Sequence, residues 1–151
     1  MRVKEWSVEE AFSKGVTFID VRTPEEFEEF RIPGAVNIPL FSKEEKERIS
    51  KVYYEKGERE ARLYALRIVG PKLFDIVSRI KELKEKRGEV VIYCWRGGLR
   101  SLAVATVCNL VGVSVGRLSG GYRAFRKYIL ERMEKISEKL NLIVLYGPTG
   151  V

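Results

Sequence analysis

The stretch EVVIYCWRGGLRS, residues 89–101, decides the fold that we predict for this chain. It opens with a β-branched run after a glycine, which predicts a buried strand that ends at Cys94. Two glycines then favour a turn, and we expect a helix to begin at Arg100. In parallel α/β sheets, ligands bind where strands end and helices begin. Cys94 is therefore a candidate for chemistry.

The residues before this stretch predict two further strands, each next to a helix. A helix-capping pattern that begins at Ser7 precedes the apolar run VTFID, residues 16–20, which predicts a strand. Thr23, followed by a proline and two glutamates, predicts the start of a second helix. The run AVNIP, residues 35–39, predicts another short strand.

The middle of the chain predicts helices only. Residues 42–87 are rich in Lys, Glu, Arg and Leu and are broken by Gly57 and by Gly70-Pro71. Such a composition, interrupted twice, indicates two or three helices.

The residues after the loop alternate between helix and strand. Helical spacing of apolar side chains predicts helices over residues 100–111 and 122–140. A short strand and a turn are expected in SVGRLSGG, residues 114–121, and a final strand in NLIVLYG, residues 141–147. This alternation predicts one α/β domain with a doubly wound, mostly parallel sheet of about five strands flanked by helices.

The composition limits the classes of function. The chain has 151 residues, 45% of them hydrophobic, and lacks the run of roughly 20 apolar residues that would span a bilayer. We therefore expect a cytoplasmic protein with no membrane contact. Histidine is absent and cysteine occurs twice, which excludes Cys-His catalysis and an ordinary zinc site. We expect reduced thiols, no metal and no bound cofactor in this chain.

The glycine-rich loop predicts an anion-binding cradle around Cys94. Gly97 and Gly98 allow the backbone to curl so that several N–H groups point at one spot. The start of the next helix, Arg96 and Arg100 add positive charge, which favours a nucleophilic thiolate at Cys94. In contrast, Cys108 lies among apolar residues of a predicted helix, and we expect it to be a core side chain rather than a resolving thiol.

Positive charge increases along the chain. Residues 1–40 carry 5 basic and 8 acidic side chains, whereas residues 94–151 carry 9 and 3, a net charge of +6. Two interpretations stay open: solvated helix faces of a Lys/Glu-rich protein, or a surface that attracts RNA or phosphorylated substrates.

Three motifs together resemble rhodanese-homology domains. These are DVRTPEEFEEFRIPGAVNIP, residues 20–39, which resembles the first signature of that family, YCWRGGLRS, which resembles its active-site loop, and LSGGYRAF, residues 118–125, which resembles its Gly-Gly motif. The resemblance implies a rhodanese-like domain over residues 1–140, with a helical insertion at about residues 41–70.

Within that superfamily, the chain resembles most the N-terminal domain of tRNA 2-selenouridine synthases. The Cys-x-Arg-Gly-Gly-x-Arg-Ser loop and the helical insertion carry this likeness. LYGPTGV, residues 145–151, is similar to a strand that enters a phosphate-binding loop, with Gly147, Thr149 and Gly150 as the first part of the motif. Residues 141–151 are therefore expected to begin a truncated P-loop domain, whose C-terminal remainder is missing.

The resemblance implies a transferase that replaces sulfur by selenium in wobble 2-thiouridine of tRNA. Cys94 would carry the chalcogen as a persulfide or selenide, with selenophosphate or a sulfur donor as substrate and tRNA as partner. The resemblance also implies roles for other residues: binding of the anion by Trp95, Arg96, Gly97, Gly98, Leu99 and Arg100, support of the loop by Asp20, Arg22 and Ser101, and contact with tRNA by Arg96 and Arg123.

Two alternatives remain at the level of sequence. Cys-x5-Arg-Ser is also the signature of cysteine-dependent phosphatases, some of which use the rhodanese fold, and the loop alone does not separate the two classes. A non-enzymatic tRNA-binding module is the other alternative. The chain also departs from the family pattern, because Phe30-Arg31 stands where rhodanese domains commonly have Gly-His.

Overall fold

A computed structural model describes residues 2–145 and 147–149 and contains a five-stranded sheet. All four strand pairings are parallel, and the strands lie in the order β1-β5-β4-β2-β3. The strands are β1 (Lys4–Trp6), β2 (Thr17–Asp20), β3 (Val36–Asn37), β4 (Val90–Tyr93) and β5 (Gly116–Leu118). The predicted parallel α/β class is confirmed.

Seven α-helices surround the sheet in the described part of the chain. They are α1 (Val8–Lys14), α2 (Pro24–Glu29), α3 (Lys43–Lys56), α4 (Glu58–Val69), α5 (Leu73–Arg87), α6 (Leu99–Leu110) and α7 (Gly121–Ser137). Side-chain caps fix several of their starts. Thr23 and Ser42 each form a reciprocal capping box with the glutamate three residues later, at the beginning of α2 and α3.

The sheet separates two apolar clusters, as a doubly wound sheet requires. Along β4, Val90 and Ile92 belong to one cluster, while Val91 and Tyr93 belong to the other. Helices α4, α5 and α6 contribute buried side chains to the first cluster, and α1 and α7 contribute to the second. This layering buries the central strand on both faces and fixes the position of its carboxyl end.

The helical insertion is confirmed between β3 and β4. Gly57 ends α3 and begins α4, and a short 3-10 helix, Gly70–Lys72, connects α4 to α5. The two breaks predicted from glycine and proline are therefore where the helices end.

One strand was not predicted, and one strand prediction was wrong. Strand β1 was not predicted, because Lys4–Trp6 has only 3 residues, of which one is buried, and it forms by pairing with β5. A strand was predicted over residues 141–147, but residues 141–145 have no regular structure and Leu142 to Leu145 are 80–91% exposed. An apolar run forms a strand only beside a partner strand, and these residues have none in the described part of the chain.

None of the helices in the described residues combines the length and the apolar character needed to span a bilayer.

Candidate active site

Cys94 follows β4 directly and lies at the carboxyl edge of the sheet. Only 3% of its surface is exposed, and its Sγ lies 3.2 Å from the hydroxyl oxygen of Ser101 in the first turn of α6. Ser101 is itself fully buried and donates to the carbonyl oxygen of Gly98. The sulfur is thus in contact with a hydroxyl group whose position is fixed by the first turn of α6.

The loop between β4 and α6 presents a run of free backbone N–H groups. Within the described residues, the amides of Trp95 to Arg100 donate to no protein acceptor; the first loop-to-helix bond is from Leu102 N–H to Gly98 oxygen. The last of these amides belong to the start of α6, where helical N–H groups have no partner within the helix. A bound anion can accept hydrogen bonds from such a run.

The Gly-Gly motif holds this loop from the side. The amides of Tyr122 and Arg123 donate to the carbonyl oxygens of Cys94 and Trp95, at 2.9 and 3.0 Å. Gly121 has φ +59°, and a Cβ atom there would lie 2.5 Å from the Cys94 carbonyl oxygen and 2.7 Å from the Gly97 nitrogen. Only glycine therefore fits where α7 begins.

Arg117 on β5 ties the other side of the loop to the sheet. Its guanidinium donates to the carbonyl oxygens of Gly97 and Gly98, at 2.6 and 3.3 Å, and its Nε donates to Glu5 of β1 at 2.8 Å. These hydrogen bonds turn the two carbonyl oxygens toward Arg117 of β5. Arg117 was not among the predicted site residues.

Asp20 and Arg22 form a buried ion pair next to the loop. Both side chains are at most 1% exposed, and the closest oxygen and nitrogen are 2.8 Å apart. Burial alone would lower the pKa of Arg22, but the hydrogen bond to Asp20 raises it above its ordinary value. Arg22 also donates to the carbonyl oxygen of Phe30. The pair therefore joins the end of β2 to the chain after α2.

Aromatic rings cover the guanidinium of Arg22. Its centre lies 5.0 Å from the ring of Tyr122 and 5.9 Å from that of Trp95. The rings of Trp95 and Tyr122 stack on each other, with centroids 5.5 Å apart and planes inclined by 19°. Trp95 is partly buried, so this stacking makes it a wall between the loop and α7.

Tyr93, which precedes the cysteine, packs in the second apolar cluster, the one that contains Val91. It is fully buried, and its hydroxyl oxygen accepts from the backbone N–H of Ile32 at 3.2 Å. Burial raises the pKa of Tyr93 well above its usual range, so its hydroxyl stays protonated at neutral pH.

The two arginines of the loop are placed differently. Arg96 is exposed to solvent. Arg100 lies against Glu26 of α2, with its two terminal nitrogens 2.8 and 3.4 Å from the carboxylate oxygens. The same carboxylate accepts from Lys46 of the insertion at 3.1 Å. Glu26 and Lys46 were not among the predicted site residues.

The remaining predicted residues lie apart from the cysteine side chain or outside the described chain. Arg123 is exposed at the start of α7, and its backbone bonds to the loop. Gly147 and Thr149 are exposed, and Gly150 lies outside the described residues. Cys108 is fully buried within α6, and burial raises the pKa of its thiol to about 11. Both cysteines are free thiols.

Comparison with protein-family models matches residues 4–128 to the rhodanese-like domain. The chain is 33% identical over 140 residues to the tRNA 2-selenouridine synthase of Hahella chejuensis and 32% identical over 149 residues to that of Bdellovibrio bacteriovorus. These alignments cover 92% and 98% of this chain. They cover 37% and 39% of the relatives, so the chain spans about two fifths of their length.

Solved structures agree with the fold. The N-terminal domain of a Clostridium difficile 630 protein named for ATP/GTP binding superposes with a TM-score of 0.81 at 38% identity, covering 84% of this chain and 99% of that one. A rhodanese-related protein from Thermoplasma volcanium gives a TM-score of 0.51 at 18% identity, covering 83% of this chain and 92% of that one. The second likeness concerns the fold alone.

Proposed function

Because the chain belongs to the rhodanese-like domain family, we propose that Cys94 accepts a sulfur or selenium atom from a donor and passes it to a second substrate. The observation that carries this proposal is the run of free amides from Trp95 to Arg100 beside a cysteine at a strand end. A terminal sulfur on Cys94 would carry negative charge, and free N–H groups are what stabilises such a charge.

The first step is a displacement at sulfur. The Cys94 thiolate attacks the outer sulfur of a donor such as thiosulfate, so a new S–S bond forms at the cysteine. The S–S bond of thiosulfate breaks, and sulfite leaves with the electron pair. In the second step, an acceptor nucleophile such as cyanide attacks the terminal sulfur of the persulfide. Thiocyanate forms, and the Cys94 thiolate is regenerated.

The names of the relatives suggest the full reaction. Proteins called tRNA 2-selenouridine synthase align over most of this chain, so we propose that the module serves in exchanging sulfur for selenium in 2-thiouridine of tRNA. Selenophosphate is then the anion that the loop amides and Arg96 would bind. The remaining three fifths of such a protein would contain the proposed P-loop domain.

Mass spectrometry of the intact protein tests the carrier role. After incubation with thiosulfate, the protein should gain the mass of one sulfur atom, and a reducing thiol should remove it. Cys94→Ser should abolish the gain, whereas Cys108→Ser should retain it. An unchanged mass after incubation with thiosulfate would overturn the proposal.

A phosphatase is the second candidate function, and the ionised state of Glu26 argues against it. A phosphatase of this type needs a protonated acid for the leaving group. Glu26 is the carboxylate bonded to the loop through Arg100, and its pKa of about 2 keeps it ionised. Turnover of an aryl phosphate that is lost in Cys94→Ser, without any gain of chalcogen mass, would favour the phosphatase.

Contact with tRNA is a separate part of the proposal. Arg96 and Arg123 are exposed on the two segments that meet at the Trp95–Tyr122 stack. Charge reversal at both positions should weaken tRNA binding and reduce its dependence on salt, because fewer phosphate contacts release fewer counterions. Reversal at the exposed Lys51 and Arg59 of the insertion serves as a matched control. Equal weakening in both variants would show only a general charge effect.

A further inference from the structure

Glu26 is shared by two cations that come from different parts of the fold. Arg100 reaches it from the first turn of α6, and Lys46 reaches it from the first turns of α3 in the insertion. The side chains of Glu26 and Arg100 are 21% and 20% exposed, while Lys46 is 44% exposed. The carboxylate is therefore largely covered and lies between the cysteine loop and the insertion.

Glu26, Arg100 and Lys46 form a triad of side chains whose charges do not cancel. Burial alone would raise the pKa of Glu26, but the hydrogen bonds and charges of Arg100 and Lys46 outweigh it and lower the pKa to about 2. One carboxylate thus faces two cations, and the triad carries a net positive charge at neutral pH. This surplus adjoins the loop that carries Cys94.

Arg100 has a choice of partners because Lys46 is present. If Arg100 turns from Glu26 to an anion bound at the loop, Glu26 keeps Lys46 at 3.1 Å and the hydroxyl and N–H of Thr23 at 3.2 and 3.3 Å. Without Lys46, the same movement would leave a half-buried carboxylate with neutral partners only, which is unfavourable. Lys46 thereby lowers the free-energy cost of separating Arg100 from Glu26.

We propose that Lys46 is a positioning residue that releases Arg100 from Glu26, so that the insertion sets the preference of Cys94 for anionic donors over neutral ones. The inference rests on the proposed role of Cys94 as a nucleophile. Lys46 acts through Arg100 and touches no reacting atom. A donor with a phosphate or sulfonate group would draw Arg100 to the loop, whereas a neutral reagent would leave it on Glu26.

The preference is measured by alkylating Cys94 with iodoacetate, an anion, and iodoacetamide, its neutral counterpart. The ratio of the two rates removes effects on the thiol itself. Lys46→Ala should lower this ratio by about threefold to tenfold, as expected for coupled neighbours, and Lys46→Arg should restore it. Lys51→Ala, an exposed lysine of the same helix, is the matched control and should leave the ratio unchanged.

A double variant separates release from a simple field effect. Glu26→Gln frees Arg100 and should raise the ratio, and adding Lys46→Ala to it should then change nothing. If the lysine acted only through its charge, the second change would lower the ratio by the same factor as in the unmodified protein. Likewise, Lys46→Ala should have no effect in Arg100→Gln.

The outcomes distinguish this inference from the function on which it rests. Absence of alkylation at Cys94 in every variant would overturn the nucleophile itself. Alkylation with an unchanged ratio in Lys46→Ala, or with additive effects in the double variant, would overturn the role of Lys46 alone. Melting temperatures of all variants should stay above the assay temperature, so that the rates compared are those of folded protein.

Discussion

Cys94 and Cys108 belong to the same apolar cluster and are both buried, at 3% and 0% exposure, yet their surroundings differ. Cys108 lies within α6, where every backbone group near it is used by the helix and its neighbours are apolar. Cys94 lies just before that helix, where the backbone amides are free and the hydroxyl of Ser101 contacts the sulfur.

The comparison shows that burial does not decide whether a thiol is reactive. A buried thiol without polar neighbours is held in the neutral form, as the raised pKa of Cys108 indicates. A buried thiol that faces free donors can carry a negative charge at a much lower cost. The backbone, more than the side chains, separates the two cysteines.

The largest difference is expected in alkylation of the native protein. With a pKa of about 11, only about one Cys108 thiol in ten thousand is ionised at pH 7. Iodoacetamide should therefore modify Cys94 and spare Cys108 until the protein is unfolded. Peptide mapping by mass spectrometry measures both sites in one sample. Modification of the two cysteines at similar rates in the native state would contradict the comparison.

A glycine near each cysteine provides the second test. Gly121→Ala should destabilise the protein by about 3 kcal/mol, because it combines left-handed backbone strain with a clash against the loop that carries Cys94. Gly112→Ala, after the helix that carries Cys108, has φ +87° but open space around its Cβ, so about 1 to 2 kcal/mol is expected. Urea unfolding measures both.

Loading of Cys94 by thiosulfate should fall in Gly121→Ala and stay unchanged in Gly112→Ala, since only the first glycine contacts the loop. Equal loss of stability and of loading in both variants would show that strain alone matters.

Alkaline pH should weaken the fold through Cys108. Burial raises the pKa of this thiol from 9.0 to about 11, so the unfolded chain loses the proton first as the pH rises. The contribution to stability is complete below about pH 9 and is lost as the pH approaches about 11, with a total of about 2 to 3 kcal/mol. Cys108→Ala should lack this part of the pH dependence, whereas Cys94→Ser should keep it. Unfolding free energies across that range give the comparison.

The smallest effect is expected from the hydroxyl that contacts Cys94. The Cys94 thiol donates to the hydroxyl oxygen of Ser101, and this bond stabilises the neutral thiol. Ser101→Ala should therefore speed alkylation of Cys94 by about twofold to fivefold, the effect of one such bond. Ser137→Ala, which removes an exposed hydroxyl at the end of α7, is the control and should have no effect. A slower reaction in Ser101→Ala would mean that the hydroxyl turns to donate to the thiolate.

The core of the fold could be predicted because its signals are local. The β-branched run before Cys94, the N-cap at Thr23 and the breaks at Gly57 and Gly70 each act within a few residues, and the structure has a strand or a helix boundary at each of them. Strand β1 could not be predicted in this way. Its register with β5 joins Lys4 to Gly116, which no pattern in either segment indicates.

The error at residues 141–147 has the same cause. Leu142 to Leu145 have the composition of a strand, but a strand exists only when another strand accepts and donates its hydrogen bonds. The number of strands was predicted as about five, and five are present, but β1 takes the place of the predicted C-terminal strand.

The candidate site was predicted in part for similar reasons. Cys94 and its glycines stand in one short motif, whereas Glu26 and Arg117 come from segments 68 positions before and 23 positions after the cysteine. In the sequence, Arg117 only interrupts an apolar strand and Glu26 is one of several glutamates in a helix. Their contacts with Arg100 and with the carbonyl oxygens of the loop arise from the order of the strands.

Helix α7 begins directly at the loop that carries Cys94. Its first residues are joined to Cys94 and Trp95 through backbone hydrogen bonds, and it then runs for 17 residues, about 25 Å, to Ser137. A segment that follows Ser137 therefore begins about one helix length, about 25 Å, away from the loop that carries Cys94.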